Sequence, residues 1–583
     1  MRALAMRARS AIAAIGGSLV LAAGLGAGPP AQAASAAPVA AEHGMVVTAQ
    51  HLATRVGVDV LKRGGNAVDA AVAVGYALAV VYPAAGNLGG GGFMTLQLAD
   101  GRKAFLDFRE RAPLAATATM YLDAAGNVVR GASTTGHLAV GVPGSVSGLE
   151  TALARYGTMK RAELMAPAIR YAEQGFVLEQ GDADMFATAT DAFRADPASA
   201  AVFLDQGRPL QAGDRLVQRD LAATLKQISE AGAAGFYAGP VGRALVASSQ
   251  AGGGLISQAD LDAYRTRELA PVECDYRGYR VVSAPPPSSG GVVVCEILNV
   301  LEGYPLKDWG FRSARAVHVQ IEAMRHAYVD RNSRLGDPDF VDNPVERLLS
   351  PGHAQRIRAA IDPARAASSI DLQPGVAPHE GNNTTHYSIV DSQGNAVAVT
   401  TTLNEWFGAK VTAAGTGVLL NNEMNDFTIK LGVPNVYGLV QGEANAIAPG
   451  KRPLSSMSPT ILTRGGRPVL VLGTPGGSRI ITVVVLTILN LVDYGMDLQE
   501  AVDAERFHQQ WLPNPTSLEP FALSPDTRRI LEAMGHVFVE RQPANHVAAI
   551  LVGAPKLGGT PVGRNRFYGA NDPRRRTGLA LGY

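Results

Sequence analysis

Apolar positions along the chain fall into a few long helical runs and a set of short β-branched ones. Ala67–Val81 is apolar nearly all round, which predicts a helix buried on every side. Asn66 suits its N-cap, and Tyr82-Pro83 ends it. The preceding residues 46–62 have helical character and stop at Arg63-Gly64-Gly65. Residues 146–266 are mainly helical in pattern, with polar breaks, and a further apolar helix is expected at 480–491. Strand character appears at 94–98, 104–108, 279–283, 418–420 and 468–472, next to Gly, Pro and Asn clusters. Two more runs, 384–391 and 396–403, are joined by Ser392-Gln393-Gly394-Asn395 and predict a hairpin. Residues 364–380 lack periodicity and suit an exposed linker. Residues 431–449 form a long loop, a length often tied to function.

Thr384 therefore opens a strand directly after the polar loop Gly381-Asn382-Asn383. Were the Asn383–Thr384 bond cut, Thr384 would carry a hydroxyl nucleophile and a free amine able to serve as its base. A threonine that starts a strand is ordinary by itself.

Composition narrows the field. In 583 residues, 47% hydrophobic and 18% charged, a large core is possible. The net charge of +1 leaves no strong basic field for nucleic acid or an anionic membrane. Arg2, Arg7 and Arg9 precede a small, apolar stretch that ends at Pro29-Pro30-Ala31-Gln32-Ala33. This pattern predicts a signal peptide over 1–33 and export to the periplasm or beyond, with no anchor left after cleavage. The next candidate span, Ala67–Val81, contains Asp69 and falls short of the ~20 residues a crossing needs. Cys274 and Cys295 suit either one disulfide or two buried thiols.

Two chemistries fit poorly. The serine-hydrolase elbow fails at Gly144-Ser145-Val146-Ser147-Gly148, whose centre is valine, and at Gly476-Gly477-Ser478-Arg479-Ile480, which lacks the last glycine. His318, Glu322 and His326 share a helix face, but the outer pair lies about 12 Å apart along the axis. Both cannot bind one ion, so an ordinary helix face is expected there. Other clusters converge better. A cation at Arg109 and hydroxyls at Ser455 and Ser456 suit an α-carboxylate, and Asn404, Glu423 and Asp426 suit an α-ammonium. The amides of Gly476 and Gly477, before a helix, suit an oxyanion.

Across essentially the whole mature chain, the sequence closely resembles the γ-glutamyltranspeptidases (glutathione hydrolases) of the N-terminal-nucleophile hydrolase superfamily. The motifs occur in order: Gly64-Gly65-Asn66-Ala67-Val68-Asp69-Ala70-Ala71, Asp107-Phe108-Arg109-Glu110, Thr384-Thr385-His386-Tyr387-Ser388, Pro453-Leu454-Ser455-Ser456-Met457-Ser458-Pro459-Thr460 and Gly473-Thr474-Pro475-Gly476-Gly477-Ser478-Arg479. The resemblance implies an α+β fold, a four-layer αββα sandwich built from both parts of a self-cleaved precursor. Those parts would be a large subunit, 34–383, and a small one, 384–583, joined as a heterodimer.

It further implies that Thr384 is the nucleophile in processing and in catalysis, tuned by Thr402. Arg109, Ser455 and Ser456 would hold the α-carboxylate of a γ-glutamyl group, and Asn404, Glu423 and Asp426 its amine. Gly476 and Gly477 would form the oxyanion hole. Glutathione would be the substrate, water or an amino acid or peptide the acceptor, with no metal or organic cofactor needed. Residues 431–446, including Pro434-Asn435-Val436-Tyr437, resemble the lid that some members place over the site; it favours small γ-glutamyl compounds over polymers. Glu405-Trp406 is expected to shape the acceptor side, and 553–566 is expected to be a surface insertion. Two rivals remain: a cephalosporin acylase taking a glutaryl chain, against which Glu423 and Asp426 speak, and an exported amino-acid-binding protein without turnover.

Overall fold

The computed structural model describes residues 35–369 and 384–583. The predicted signal segment 1–33, Asn383 and most of the 364–380 linker lie outside these residues. Two seven-stranded antiparallel sheets are stacked face to face. Their strands, in chain order, are β1 (Val39–Ala41), β2 (Met45–Thr48), β3 (Gly91–Gln97), β4 (Lys103–Phe108), β5 (Arg267–Leu269), β6 (Val272–Tyr276) and β7 (Tyr279–Ser283). Then follow β8 (Thr384–Val390), β9 (Ala396–Thr402), β10 (Thr460–Arg464), β11 (Arg467–Gly473), β12 (Ala548–Val552), β13 (Phe567–Asn571) and β14 (Leu579–Gly582). One sheet runs β14-β2-β8-β9-β3-β4-β5, the other β1-β13-β12-β11-β10-β7-β6.

Helices α1 (His51–Lys62), α2 (Ala67–Val81) and α3 (Ser145–Tyr156) cover the first sheet. Helices α4 (Gly290–Leu301) and α6 (Arg479–Val492) cover the second, with α5 (Ala314–Arg334) packed against α4. The result is the expected α+β sandwich of four αββα layers. A small apolar core between the sheets includes Val47, Val390, Ile461, Val471 and Ile550, and a larger one lies under each helical layer.

Helix α2 is buried along its whole length, as its all-round apolarity predicts. Asn66 and Asp69 close a capping box at its start. Asp69 also accepts from Thr158 N and Met159 N, at 2.8 and 3.0 Å, which fastens the helix to the loop that follows α3. Ala67 N donates to Asp391 Oδ2 at 2.9 Å, so the turn of the β8–β9 hairpin is pinned to the same helix end.

The helix expected over 46–62 divides in two. Val46 and Val47 pair with Ile389 and Ser388 of β8 as part of β2, and the helix starts at His51. β-branched residues beside an open strand edge join the sheet. Cys274 of β6 and Cys295 of α4 form a disulfide, Cα atoms 5.8 Å apart, and are not two separate buried thiols. Residues 553–566 form the largely exposed connection between β12 and β13, as expected of an insertion. Among the described residues no helix is long and apolar enough to cross a membrane.

Candidate active site

Thr384 begins β8, and its register partner in β9 is Thr402. Alternation along the strand puts Thr384, His386 and Ser388 on the face turned to the second sheet, where Ser388 Oγ donates to Ala548 O at 3.0 Å. The hydroxyl oxygens of Thr384 and Thr402 stand 3.3 Å apart. Thr402 Oγ1 also accepts from Asn404 N at 2.8 Å, which fixes it in place. His386 is no base for this pair. Its Nε2 bonds Ser388 Oγ at 3.1 Å and its Nδ1 bonds Thr400 Oγ1 at 2.8 Å, while burial lowers the ring to about 3.

Thr384 and Thr402 line a pocket shared with Arg109, Asn404, Glu423, Asp426, Tyr437, Ser455, Ser456 and Gly477. Arg109 follows the last residue of β4. Its backbone N donates to Asp107 Oδ1 at 2.9 Å, and its carbonyl accepts from Tyr264 OH at 2.8 Å. The guanidinium bonds Glu423, Asp426 Oδ2 at 2.6 Å and Pro453 O at 3.2 Å. The acids and the cation, assigned above to opposite ends of a zwitterion, are therefore in direct contact. Glu110 stands 3.6 Å from the same guanidinium. Neither of its buried oxygens finds a hydrogen-bond partner among the described residues. Burial pushes Glu110 up to about 7 and raises Glu423 too, against the pull of Arg109. Three acidic side chains surround one guanidinium, and two of them, Glu423 and Asp426, line the pocket, where their oxygens can accept from a substrate ammonium.

Glu423 and Asp426 are presented by a single turn of helix, Glu423–Asp426. Asn421 anchors it: Oδ1 accepts from Glu423 N at 3.0 Å and Nδ2 donates to Gly89 O and Gly141 O, both at 2.8 Å. Asn404 sits at φ 75°, a left-handed conformation asparagine tolerates better than most residues. Its amide donates to Asn422 O at 2.9 Å, and its Oδ1 accepts from Tyr437 OH at 2.7 Å.

The serine pair forms the other side. Ser455 Oγ accepts from Met457 N at 3.1 Å and Ser456 Oγ accepts from Arg331 Nη2 at 2.9 Å. Neither hydroxyl donates to any described residue, so both protons remain for an anion. Gly476 and Gly477 precede α6 with φ of 127° and 56°, which a side chain would strain. The N–H groups of Gly476, Gly477 and Ser478 find no acceptor among the described residues, the arrangement an oxyanion needs. Only Gly477 of the two glycines lines the pocket; Gly476 packs behind it against Asn545.

The loop over the site is tied down. Val436 N donates to Asn425 Oδ1 at 2.9 Å, Gln441 Nε2 to Asp426 O at 3.0 Å, and Gln510 Nε2 to Tyr437 O at 3.1 Å. Of the residues singled out from sequence, Glu405 and Trp406 stay off the pocket wall. Glu405 accepts from Asn422 Nδ2 at 2.7 Å, and the Trp406 ring lies 5.4 Å from the Arg575 guanidinium. His318 leaves His326 and bonds His536 at 2.8 Å and the Asp362 carbonyl at 2.8 Å, a helix-packing contact. Sequence reasoning missed Arg331, which lines the pocket, and the part Glu110 plays. The signal for Arg331 was a charge inside α5 on a stretch where Tyr328 and Asn332 are also buried.

Residues 53–582 match the family model described as gamma-glutamyltranspeptidase. A glutathione hydrolase proenzyme of Pseudomonas sp. (strain A14) is 71% identical over 552 residues, 94% of this chain and 96% of that one. A glutathione hydrolase proenzyme of Escherichia coli (strain K12) is 49% identical over 548 residues, 94% and 93% of the two chains. A crystal structure of cephalosporin acylase from Bacillus halodurans superposes with a TM-score of 0.80 at 27% identity, covering 95% of this chain and 99% of that one.

Proposed function

The chain belongs to the gamma-glutamyltranspeptidase family, and from that premise we propose how its residues divide the work. It is a glutathione hydrolase and γ-glutamyl acyltransferase, made as a proenzyme. Thr384 cuts the Asn383–Thr384 bond, leaving a large part, 34–383, and a small part, 384–583, that stay together as a heterodimer. The predicted signal 1–33 directs the protein to the periplasm or exterior.

In turnover, Thr384 Oγ1 attacks the γ-carbonyl, and its freed α-amine, of intrinsic pKa about 7.7–8.0, accepts the proton. Thr402, 3.3 Å away, holds the nucleophile in line. The unbonded amides at Gly476 and Gly477 receive the oxyanion. The amine leaves with the proton, and water or an acceptor amine resolves the γ-glutamyl ester on Thr384. Glu423 and Asp426 with Asn404 take the substrate ammonium; Arg109 and the protons of Ser455 and Ser456 take its carboxylate. Tyr437 closes over the group.

The observation that carries this reading is the Thr384–Thr402 pair opening into one pocket with the carboxyl groups of Glu423 and Asp426 at one end and two unspent serine protons at the other. Purified protein should run as two bands, the smaller beginning at Thr384 by N-terminal sequencing. Thr384→Ala should remain one chain and leave γ-glutamyl-anilide uncut. A single uncut native chain with full activity would overturn the assignment.

The likeness to cephalosporin acylase supports a second reading, glutaryl transfer. A glutaryl group has no ammonium to meet Glu423 and Asp426. Faster cleavage of a glutaryl than of a γ-glutamyl anilide would favour that reading instead.

A further inference from the structure

Helix α5 delivers to the pocket a buried guanidinium that the reaction scheme leaves unused. Arg331 Nε donates to Ser289 Oγ at 2.9 Å, Nη1 to Asn332 Oδ1 at 2.8 Å and Gln441 Oε1 at 3.1 Å, and Nη2 to Ser456 Oγ at 2.9 Å. All four acceptors are neutral. No carboxylate lies within ion-pair distance of Arg331 among the described residues, whereas Arg109 has three within 4 Å. A cation taken out of water without a counter-charge is costly, and burial lowers Arg331 to about 10. Its side of the pocket is one anion short.

Ser456 identifies that anion. Its Oγ spends a lone pair on Arg331 Nη2, so its own proton turns to an acceptor elsewhere. Arg331 also holds Ser289, whose Oγ donates to Ser455 O at 2.6 Å, so one guanidinium orients both serines. Four bonds use four of its five N–H groups, and the fifth is on Nη2, the nitrogen at Ser456. Arg109 cannot fill this role alone, because its guanidinium is already bonded to Glu423 and Asp426.

We infer that Arg331 is the counter-charge of the substrate α-carboxylate, a positioning residue that makes Ser456 a one-way donor and supplies the positive charge that Arg109 has spent on protein acids. This rests on the γ-glutamyl reading above. That reading is checked separately, since it fails if the native enzyme does not cleave γ-glutamyl anilide.

With native turnover established, Arg331→Gln, Arg331→Lys, Ser456→Ala and the double variant Arg331→Gln/Ser456→Ala are assayed on γ-glutamyl anilide. Arg331→Gln should raise KM by about tenfold or more, as for loss of a charged hydrogen bond, and change kcat much less. The lysine variant should recover part of that loss, because it keeps the charge. The double variant should lose little beyond the worse single one, since the two residues act as a unit. The inhibition constant of free L-glutamate should rise in parallel with KM.

Additive losses, a fall in kcat alone, or equal KM values for the lysine and glutamine variants would overturn the inference. If Arg331→Gln fails to process into two bands, Ser289→Ala takes its place in the cycle with Ser456→Ala. It removes one anchor of the guanidinium and keeps its charge. A severalfold KM increase coupled to Ser456 then supports the inference, and additivity overturns it.

Discussion

Glu110 shows how a single residue in this site is set by its surroundings. It is buried beside Arg109 with both oxygens unbonded among the described residues, and burial moves it from an ordinary 4.5 to about 7. In that window the folded protein holds a proton that the unfolded chain releases. Stability from this group is therefore greatest at low pH and declines as pH rises from about 4.5 to 7, by up to about 3 kcal/mol. Glu110→Gln should remove the decline, so its melting temperature relative to the native protein should climb between pH 5 and 8. A difference independent of pH would refute the assignment. Gly477 is limited by geometry. At φ 56° an added Cβ would run into the Tyr437 ring. Gly477→Ala should disturb the oxyanion amide and lower kcat by about 100-fold, measured on γ-glutamyl anilide after two-band processing is confirmed. Arg109, Glu423 and Ser456 were legible in sequence as residue types suited to a zwitterion. Their bonds were not, because Arg109 meets Glu423 across 314 positions of chain.

At the scale of elements, the hairpin that opens at Thr384 was the most legible part. Its two runs are β-branched, its turn is Gly/Asn-rich, and both appear as β8 and β9 in full register from Thr384↔Thr402 to Val390↔Ala396. Helix α2 was equally plain, since nothing but burial suits fifteen residues so apolar. The strand hidden in 46–48 was not, because a three-residue β-branched piece gains its pairing only from β8 and β14. The lid shows the same dependence. Its length marked it as functional, but the bonds that seat it come from Asn425, Asp426 and Gln510 on other segments. Tyr437 OH meets both Asn404 O, at 2.8 Å, and Asn404 Oδ1. Tyr437→Phe strips that donor from a buried acceptor, a loss of about 1–3 kcal/mol. It should raise KM for γ-glutamyl anilide severalfold or more while processing continues; an unchanged KM would show that the lid hydroxyl does not order Asn404.

Across the whole molecule, the two parts expected from cleavage are woven into shared sheets. β8 and β9 of the small part lie between β2 and β3 of the large part, and β10 pairs with β7 in the other sheet. Cutting one bond removes none of these ladders. The processed parts should co-elute in size exclusion without denaturant and separate in guanidinium; separation under native conditions would contradict the shared-sheet architecture. Local sequence alone settled what local interactions settle: the buried helix, the Thr384 hairpin and the residue types of the pocket. Periodicity, capping and turn chemistry act over a few residues and are written in order along the chain. The disulfide, the pairing of Arg109 with three acids, and the arrival of Arg331 beside Ser456 were decided by tertiary structure. Apart from Glu110, which neighbours Arg109 in the chain, these contacts join segments from 21 to 317 residues apart, and only the stacking of the two sheets and their helices brings those segments together. Thr384 belongs to both lists: its strand was evident from the chain, and its pocket was built by the fold.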